Sequence, residues 1–467
     1  MPSFSIENFG CRATDADAAA LRAALLEKGL APVAAHDRAD FVVLNTCTVT
    51  AAADSQARET ARKIHRANPT ARIIVTGCYA QRAPDELAGI DGVAWVVGNS
   101  HRMEIPRLVC DGAGSAKATR AAPDFVPAAR LAGEAMSLAH APAKILTGDI
   151  FAENIFRADS AVPASGDRTR PILKIQDGCN NRCSYCVIPF VRGKSRSLPP
   201  DDVMRGVRAL TAAGAREIVL SGINLGSYGR DLTPRASLPG LVARILDETN
   251  LEQLRFSSIE PQDITEDFVS LVASWSRVAP HFHVPLQSGS DSVLQAMHRW
   301  YRTAHYAERI QLIRSLLPGA AIGADVIAGF PGETSEDFEA TVGFIERLPF
   351  TYLHVFSFSP RPGTAGAELG SAVPEAMVHE RARTLRQLGQ RKASEFRASQ
   401  TGATLRALTL ARGGDGWTET LTGNYLKVRI SGKHPANQWR EVRVGVNTDT
   451  AAPSVDAAGF SQDASPR

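Results

Sequence analysis

The sequence predicts an α/β protein in three parts: a flavodoxin-like parallel sheet, an open partial (βα) barrel and a small C-terminal β-barrel. Apolar runs of strand length alternate with amphipathic segments over about the first hundred residues, and again from Pro171 to about Pro360. After a long helix, the rest of the chain holds short strands separated by Gly-rich turns. With 467 residues, the chain is also too long for one ordinary core, which favours several domains.

The N-terminal part is predicted to be a parallel sheet whose strands alternate with helices. The expected strands are Phe4–Phe9, Phe41–Asn45, Arg72–Gly77 and Val93–Val97, and the expected helices are Asp15–Lys28 and Ala51–Ala67. In such a sheet, ligands collect beyond the carboxyl ends of the strands. Cys11, Cys47 and Cys78 each follow a predicted strand, so we expect these three thiols to converge at one edge.

The central and C-terminal strands are predicted from the same patterns. The expected barrel strands are Ile172–Ile175, Glu217–Asn224, Gln253–Ile259, His281–Leu286, Ala320–Ile327 and Tyr352–Ser357. A long helix is expected over Pro374–Gln400, with Pro in its first turn and Gly402 beyond its end. The strands expected after this helix are Leu405–Ala411, Glu419–Leu421, Tyr425–Ile430 and Arg440–Val446.

The predicted domain boundaries follow these changes of pattern. We expect an N-terminal domain over residues 1–110, a linker rich in Ala, Pro, Gly and Ser over 111–167, and a barrel over 168–402. The C-terminal domain is expected over 403–450, followed by a disordered tail over 451–467.

Composition and charge exclude several classes of protein. Apolar residues make up 44% and charged residues 22% of the chain, close to globular averages, so neither disorder nor a membrane class is favoured. No export signal and no apolar run of about 18 residues is present, so the cytoplasm is the expected compartment and no membrane partner is expected. A net charge of +3 is too small to indicate a nucleic-acid partner by itself.

The cysteines are the strongest chemical signal in the chain. There are seven, an odd number in a chain without an export signal, which favours metal ligation over a disulfide framework. Three of them form a Cys-x3-Cys-x2-Cys loop, Cys179, Cys183 and Cys186, directly after a predicted strand. Three thiolates around a 4Fe-4S cluster leave one iron open, as a catalytic cluster requires. A zinc site would need a nearby fourth ligand, which the neighbouring sequence does not offer.

The other cysteines give a weaker signal when taken one at a time. A single cysteine in a sheet is often a small buried hydrophobic residue. The shared position of Cys11, Cys47 and Cys78 at strand ends nevertheless favours a second cluster. Cys110 has no partner in register and is expected to be structural.

With these motifs in hand, the chain resembles the methylthiotransferase family of radical S-adenosylmethionine (SAM) enzymes over nearly its whole length. The matching segments are Phe9-Gly10-Cys11, Asn45–Val49, Thr76–Gln81, Gly178–Gly193, Ser221–Asn224, Ser257–Pro261, His281–Ser290 and Gly329–Thr334. One departure is Arg12–Asp15, where the family usually has a more polar stretch, often with Asn. This departure leaves ligation by Cys11 intact but bears on contacts to substrate or cluster nearby.

The resemblance implies two 4Fe-4S clusters and SAM as cofactors. The cluster on Cys179, Cys183 and Cys186 is implied to bind SAM at its open iron and to cleave it, after one-electron reduction, to a 5′-deoxyadenosyl radical. The second cluster, on the three N-terminal cysteines, is implied to hold or relay sulfur. The predicted SAM contacts are Tyr185, Ser221, Gly222, Asn224, Glu260, Gln287, Asp325 and Gly329. Taken singly, each of these residues could instead serve packing, a turn or a cap.

The C-terminal part resembles the family's TRAM domain, an RNA-binding β-barrel. Residues 404–446 hold seven Lys or Arg residues against three Asp or Glu residues, so the basic surplus of the chain is concentrated there. The predicted RNA contacts are Asn424, Tyr425, Lys427 and Arg429. An incidental solvated basic face, with its aromatic residues in the core, is the alternative explanation.

The resemblance implies methylthiolation of carbon 2 of N6-threonylcarbamoyladenosine beside the anticodon of tRNA. The segment Ser221–Asp231 is more similar to that branch of the family than to the branch acting on isopentenyl-adenosine. The expected partners are tRNA and an external one-electron donor. The alternatives are methylthiolation of isopentenyl-adenosine in tRNA, methylthiolation of an aspartate in a ribosomal protein, and a non-enzymatic iron–sulfur sensor that binds RNA.

Overall fold

A computed structural model describes residues 1–34, 36–117, 143–152, 156, 169–445 and 454–455. The longer helices are α1 (Arg12–Glu27), α2 (Ala51–Ala67), α5 (Ile105–Lys117), α7 (Pro200–Ala212), α8 (Leu238–Glu248), α9 (Glu266–Ser274), α11 (Thr303–Leu316), α12 (Ser335–Arg347) and α14 (Glu375–Ser399). The shorter helices are α3 (Cys78–Arg82), α4 (Pro84–Ala88), α6 (Ile188–Arg192), α10 (Asp291–Ala296) and α13 (Ala365–Glu368). No helix in these described ranges is both long enough and apolar enough to cross a membrane.

The strands fall into three regions of the chain. Those of the N-terminal sheet are β1 (Ser3–Asn8), β2 (Ala31–Pro32), β3 (Phe41–Thr46), β4 (Arg72–Gly77), β5 (Val93–Gly98) and β6 (Lys144–Leu146). Those of the central part are β7 (Ile172–Lys174), β8 (Gln176–Asp177), β9 (Arg196–Ser197), β10 (Glu217–Ser221), β11 (Gln253–Phe256), β12 (His281–His283), β13 (Ala321–Ala328) and β14 (Tyr352–Ser357). Those of the C-terminal sheet are β15 (Thr404–Gly414), β16 (Trp417–Thr422), β17 (Lys427–Ser431), β18 (Trp439–Arg443) and β19 (Ser454–Val455).

The N-terminal sheet is parallel, in the order β2-β1-β3-β4-β5-β6. Every residue of β3 is buried, because helices cover both faces of a central parallel strand and its side chains must be apolar on both. The sixth strand corrects the sequence prediction, since Lys144–Leu146 lies in the segment expected to be a linker and pairs with β5. α5 also extends into that segment, and residues 118–142 lie outside the described ranges.

The central part is an open barrel of six parallel strands in the order β7-β10-β11-β12-β13-β14. Two three-stranded sheets share this arrangement, joined by the bridges Leu254 to Val278 and Ser258 to His283. Alternate residues such as Ile218 and Leu220 point outward into the main core beneath the helices. The intervening residues of each strand therefore line the inside of the barrel, as the sequence predicts for an open partial barrel.

Helix α1 of the N-terminal domain packs against the inside of this barrel. Ala16 forms a small buried cluster with Ile172 on β7 and Val219 on β10. Beside it, the fully buried Lys174 pairs with the equally buried Asp17 of α1. The N-terminal domain therefore contributes part of the wall of the barrel cavity.

The C-terminal sheet has the open order β18-β15-β16-β17-β19 and forms a curled half-barrel. Its β16–β17 turn contacts the barrel, because Arg255 of β11 donates to the carbonyls of Gly423, at 2.9 Å, and Thr422, at 3.2 Å. Ser454–Val455 pairs in parallel with β17, inside the segment expected to be a disordered tail. The rest of that tail lies outside the described residues.

Candidate functional site

The Cys179–Cys186 loop follows β8 at the carboxyl end of the barrel. Gly178 precedes it with φ +71°, and a Cβ there would lie 2.0 Å from the carbonyl oxygen of Lys194, so only glycine lets the two segments approach this closely. The N–H of Cys179 donates to Gly193 at 3.0 Å, and the N–H of Cys186 donates to Cys183 at 3.0 Å. These bonds fold the loop back on itself and bring its three thiols together.

Polar groups surround the loop thiols. The N–H of Asn181 donates to Sγ of Cys179 at 3.4 Å, and Nη1 of Arg299 donates to Sγ of Cys183 at 3.2 Å. Arg299 also pairs with Glu260. Burial raises the pKa of Glu260, although the neighbouring cation Arg299 lowers it in part. A guanidinium beside a thiolate stabilises the negative charge that a metal-bound thiol carries.

The N-terminal thiols meet at the carboxyl edge of their sheet, as the sequence predicts. Cys11 is the residue at the N-terminus of α1, Cys47 follows β3, and Cys78 opens α3 directly after β4. A Cβ on Gly10, which has φ +117°, would lie 2.7 Å from Cβ of Cys47. Gly10 therefore lets the chain that carries Cys11 lie against Cys47.

Burial makes these thiols poor acids in the absence of metal. Burial and the neighbouring thiols Cys78 and Cys11 raise the pKa of Cys47 to about 12, and burial with Cys183 raises the pKa of Cys186 to about 12. Such thiols hold their protons unless a metal cation takes their place. The thiols of each set are close enough to raise one another's pKa, and three neighbouring thiols fit an iron–sulfur cluster better than isolated thiols do.

The two thiol sets are neighbours. Cys78 packs against Val187 and Val191, which directly follow the core loop. The buried Arg192 lies close enough to Cys78 to lower its pKa, although burial outweighs this effect and the pKa is raised. The segment Val187–Arg192 therefore follows the core set in the chain and contacts the N-terminal set.

A cavity of about 200 Å³ lies between the N-terminal domain and the barrel. Its walls include Tyr185 and Cys186 from the core loop, Gln287 and Asp325 from the barrel, and residues 49–50 just beyond Cys47. Two contacts hold this wall in place: Arg361 pairs with Asp54 at 2.7 Å, and the N–H of Ala51 donates to Ser359 at 3.0 Å.

Five of the predicted SAM contacts either line the cavity or carry a buried polar atom without a partner in the described part of the chain. Tyr185, Gln287 and Asp325 line the cavity, and Gln287 has φ +70°, a strained conformation typical of functional sites. The buried oxygens Oγ of Ser221 and Oδ1 of Asn224 have no hydrogen-bond partner among the described residues. Buried polar atoms left open in this way fit a ligand that brings its own donors and acceptors.

The remaining predicted SAM contacts have partners in the protein. Gly222 lies against Gln176, and Glu260 is held by Arg299. The N–H of Gly329 donates to Glu333 at 2.9 Å, and Val378 of α14 fills the space where a Cβ would project. Its N–H is therefore occupied in packing the strand end rather than open to a cofactor.

Of the predicted RNA contacts, two lie on β17 and the other two contact the rest of the protein. Lys427 is exposed, 3.5 Å from Glu419, and the guanidinium of Arg429 lies 4.2 Å from the ring centroid of Trp417. Asn424 has partners within the protein, because its buried amide donates to Gly319 and Gln400 and its oxygen accepts from Thr422.

Tyr425 also turns inward. Its ring stacks on His281 of the barrel with centroids 4.1 Å apart. Tyr425 and Asn424 therefore join the C-terminal domain to the barrel in this structure.

Sequence reasoning missed several residues of the site. Arg192 and Arg299 contact the thiol sets, and His283 and His354 flank Asp325 at 3.1 and 3.2 Å. Burial alone would raise the pKa of Asp325. The two histidines lower this pKa by more, so it lies well below its ordinary value. A signal was available for Arg192 and His283, which lie inside motifs shared with the family, but none marked Arg299 or His354.

Comparison with known proteins places the chain in a class. Residues 3–98 match the family described as uncharacterized protein family UPF0004, and residues 173–345 match the radical SAM superfamily. The fold is that of the radical SAM methyltransferase TsrM from Kitasatospora setae, solved with cobalamin and a [4Fe-4S] cluster: the TM-score is 0.53 at 16% identity, covering 79% of this chain and 77% of that one. The chain is a radical SAM enzyme, with SAM and an iron–sulfur cluster as cofactors.

Curated relatives narrow the class to a family. The threonylcarbamoyladenosine tRNA methylthiotransferase MtaB of Aquifex aeolicus is 35% identical over 92% of this chain and 96% of its own length. The tRNA-2-methylthio-N(6)-dimethylallyladenosine synthase of Syntrophobacter fumaroxidans is also 35% identical, over 79% and 76%. The chain belongs to the methylthiotransferase family of radical SAM enzymes, which confirms the resemblance drawn from its motifs.

Proposed function

We propose that this enzyme attaches a methylthio group to carbon 2 of N6-threonylcarbamoyladenosine in a tRNA anticodon loop, using two 4Fe-4S clusters. The observation that carries the proposal is the shared cavity: the core loop forms one wall, and the chain just beyond Cys47 forms another. A reaction that joins radical chemistry to sulfur transfer needs both centres at one substrate atom. The contact of Cys78 with Val187, next to Cys186, supports the same arrangement.

The six cysteines hold the two clusters in this proposal. When bound, the clusters and SAM supply radical chemistry able to act on an unactivated carbon–hydrogen bond, together with the sulfur to be transferred. Arg299 and Arg192 stabilise thiolate charge on the two sides. Val187 and Val191 keep water out of the space between the two sets, where a reactive intermediate would otherwise be quenched.

The cavity residues orient SAM. Tyr185 offers an aromatic face for the adenine ring. Ser221 and Asn224, which do not line the cavity, offer further polar partners through their open buried oxygens. Asp325 is charged at neutral pH, since the two histidines lower its pKa in spite of burial, so it can accept hydrogen bonds from a ligand. His283 and His354 fix the position of this carboxylate.

The C-terminal sheet supports a tRNA substrate. Exposed Lys427 and half-buried Arg429 lie on β17, in the region where basic residues outnumber acidic ones. Contacts to phosphates hold and position RNA without reading its sequence. An adenine in a single-stranded loop can be turned out of its stack at low cost, which suits a reaction inside an enclosed cavity.

The choice of threonylcarbamoyladenosine rests on the relatives. Identity to the two curated relatives is equal, but the match to the MtaB enzyme extends over more of both chains. The segment Ser221–Asp231, which resembles that branch, supports the same substrate.

The test is a substrate comparison with the reduced, reconstituted enzyme. Anticodon stem-loops carrying the threonylcarbamoyl group, the isopentenyl group or neither are incubated alongside the ribosomal protein, and the products are measured by mass spectrometry. We expect the threonylcarbamoyl stem-loop to gain a methylthio group and the others to react poorly. Reaction of the isopentenyl form alone would overturn the branch, and reaction of the ribosomal protein alone would overturn the tRNA substrate as well.

A further inference from the structure

Three domains meet at one point on the inside of the barrel. Arg12 comes from α1 of the N-terminal domain, His281 from β12 of the barrel, and Tyr425 from the β16–β17 turn of the C-terminal domain. Nη2 of Arg12 lies 3.4 Å from the hydroxyl of Tyr425, and Nη1 lies 3.4 Å from the carbonyl oxygen of Phe256. Arg12 is the residue next to Cys11, so this junction adjoins the N-terminal thiol set.

The guanidinium of Arg12 has only neutral partners. Both of its hydrogen bonds are long, and it forms no ion pair with any residue in the described part of the chain. Arg170 and Arg255, by contrast, share the carboxylate of Glu217. A half-buried guanidinium held by two weak neutral contacts has capacity for a stronger acceptor.

The surroundings of Arg12 favour an anion. Three guanidiniums, those of Arg12, Arg170 and Arg255, lie close to His281. Two of them, Arg170 and Arg255, pair with the acid Glu217. Asp325, an acid of the same barrel, lies between two histidines. Burial and the cations Arg255 and Arg12 hold the pKa of His281 well below its ordinary value, as expected where the electrostatic potential is positive.

Two buried polar atoms beside this junction also lack a hydrogen-bond partner within the described ranges. Nδ1 of His281, a residue 1% exposed, and Oγ of Ser257, a residue 5% exposed, have no hydrogen-bond partner among the described residues. Ser257 follows Phe256, the residue whose carbonyl accepts from Arg12. Open buried polar groups next to a cation without an acid mark a place for a polar, negatively charged group.

We infer that Arg12, with Ser257, His281 and Tyr425 beside it, binds the carboxylate of the threonylcarbamoyl group on the substrate adenine. This inference rests on the proposed function and adds a specificity-determining residue to it. An isopentenyl group, by contrast, has no charge. It would leave Arg12 without an acceptor and would gain no charge-assisted hydrogen bond. Arg12 thereby favours an acidic side chain on the base over an apolar one.

The experiment pairs an enzyme variant with a substrate variant. Arg12→Gln and Arg12→Lys are compared with the wild type on a threonylcarbamoyl stem-loop and on the same stem-loop with its carboxylate converted to a methyl ester. Equilibrium binding by the unreduced, iron-loaded enzyme is measured beside KM and kcat. Arg62→Gln is the matched control, because Arg62 lies exposed on α2 of the same domain.

For the wild type we expect the acid to bind about ten-fold more tightly than the ester, the range of a charge-assisted hydrogen bond. Arg12→Gln should lose this preference by weakening only the acid, with the change in KM rather than kcat. Arg12→Lys should keep part of the preference, and Arg62→Gln should keep all of it.

Two results would overturn the inference alone: an unchanged preference in Arg12→Gln, or equal weakening of acid and ester in both Arg12 variants. A wild type that converts only the isopentenyl stem-loop would overturn the proposed function instead, and the inference would fall with it. If Arg12→Gln does not load iron, the test rests on Arg12→Lys, which keeps the positive charge. Complete loss of the preference for the acid in Arg12→Lys would contradict recognition by charge.

Discussion

The two thiol sets are built in opposite ways. The core set comes from one loop, in which three cysteines are brought together by local backbone hydrogen bonds. The N-terminal set comes from three separate strand ends, and it forms only when a parallel sheet has assembled in the right order. Local spacing is visible in a sequence, whereas convergence at a sheet edge depends on strand order and on close approaches such as that of Gly10 to Cys47.

The two sets also differ in their neighbours. Arg299 and Glu260, which belong to the barrel, lie beside the core loop. The N-terminal set has Arg192, which reaches it from the barrel and also pairs with Asp17 of α1 and Asp177 of β8. The second set is therefore completed by a residue of another domain, which ties its geometry to the docking of the two domains.

The largest expected effect comes from replacing Cys179, Cys183 and Cys186 together by Ala. We expect the iron content to fall from ~8 to ~4 atoms per chain after anaerobic reconstitution, with complete loss of SAM cleavage. Iron analysis and detection of 5′-deoxyadenosine check the two parts of this prediction. Residual SAM cleavage would show that the loop does not bind the cofactor.

Replacing Cys11, Cys47 and Cys78 together by Ala should separate the functions of the two sets. The iron content should again fall to ~4, and methylthiolation should stop, while SAM cleavage continues because the core loop is intact. The same assays, with mass spectrometry of the product, check this outcome. An unchanged iron content would mean that the N-terminal thiols bind no cluster.

Sequence reasoning captured the parts of this molecule that local patterns encode. The boundaries of α2, β4 and β14 agree with the predicted ranges, because strong apolar periodicity and Pro or Gly punctuation fix them. The strand Lys144–Leu146 could not be predicted because it is only three residues long and lies in a stretch rich in Ala, Pro and Gly. Only its pairing with β5 identifies it as a strand.

Contacts between domains were outside the reach of sequence patterns. Asn424 and Tyr425 belong to a basic segment, yet the β16–β17 turn directs both side chains towards the barrel. Their partners, Gly319 and His281, are distant in sequence, so charge and composition carried no signal of the contact. For the same reason, the sequence marks Arg12, which lies next to a predicted ligand, only as a departure from the family pattern.

The Asp17→Asn variant tests the contact between the N-terminal domain and the barrel. Asp17 is fully buried and lies within 3 Å of Arg102 and Arg192, besides its contact with Lys174. Removing its charge breaks the ion pair of Arg102 and leaves Lys174 and Arg192 to share Asp177, so we expect a loss of about 3–5 kcal/mol in the free energy of unfolding. Glu104→Gln, which breaks an exposed pair with Arg107, is the control and should cost less than about 1 kcal/mol.

The pH dependence gives a second measure of the same contact. Burial raises the pKa of Asp17, but Arg102, Lys174 and Arg192 together lower it below its ordinary value. Its stabilising contribution is therefore complete above the unfolded pKa of about 3.9 and is lost as the pH falls through the lowered folded value. The Asn variant should lose less stability on acidification than the wild type, and an equal loss would contradict the role of Asp17.

A smaller effect is expected from Lys427→Ala combined with Arg429→Ala. If each residue holds one phosphate of single-stranded RNA, the slope of log affinity against log salt should become shallower by about 1.4. Arg62→Ala with Lys63→Ala, an exposed pair on α2, is the matched control for charge. Equal slopes for the wild type and the β17 variant would place the RNA elsewhere.

The smallest effect is expected at Cys110, the one cysteine of the N-terminal domain predicted to be structural. Cys110 lies on α5, where it is half-buried and packs at the edge of the cluster around Phe4 and Val109. The strand-end edge that gathers the other thiols does not include it, because α5 begins after β5 and runs along the face of the sheet.

Cys110→Ala removes one sulfur from partly exposed surroundings, so we expect a stability change below about 1 kcal/mol, full iron content and full methylthiolation. Iron analysis beside the Cys78→Ala single variant checks this contrast within one domain. A loss of iron in Cys110→Ala that matches the loss in Cys78→Ala would mean that strand-end position does not select the ligands, and the distinction between the two kinds of cysteine would fail.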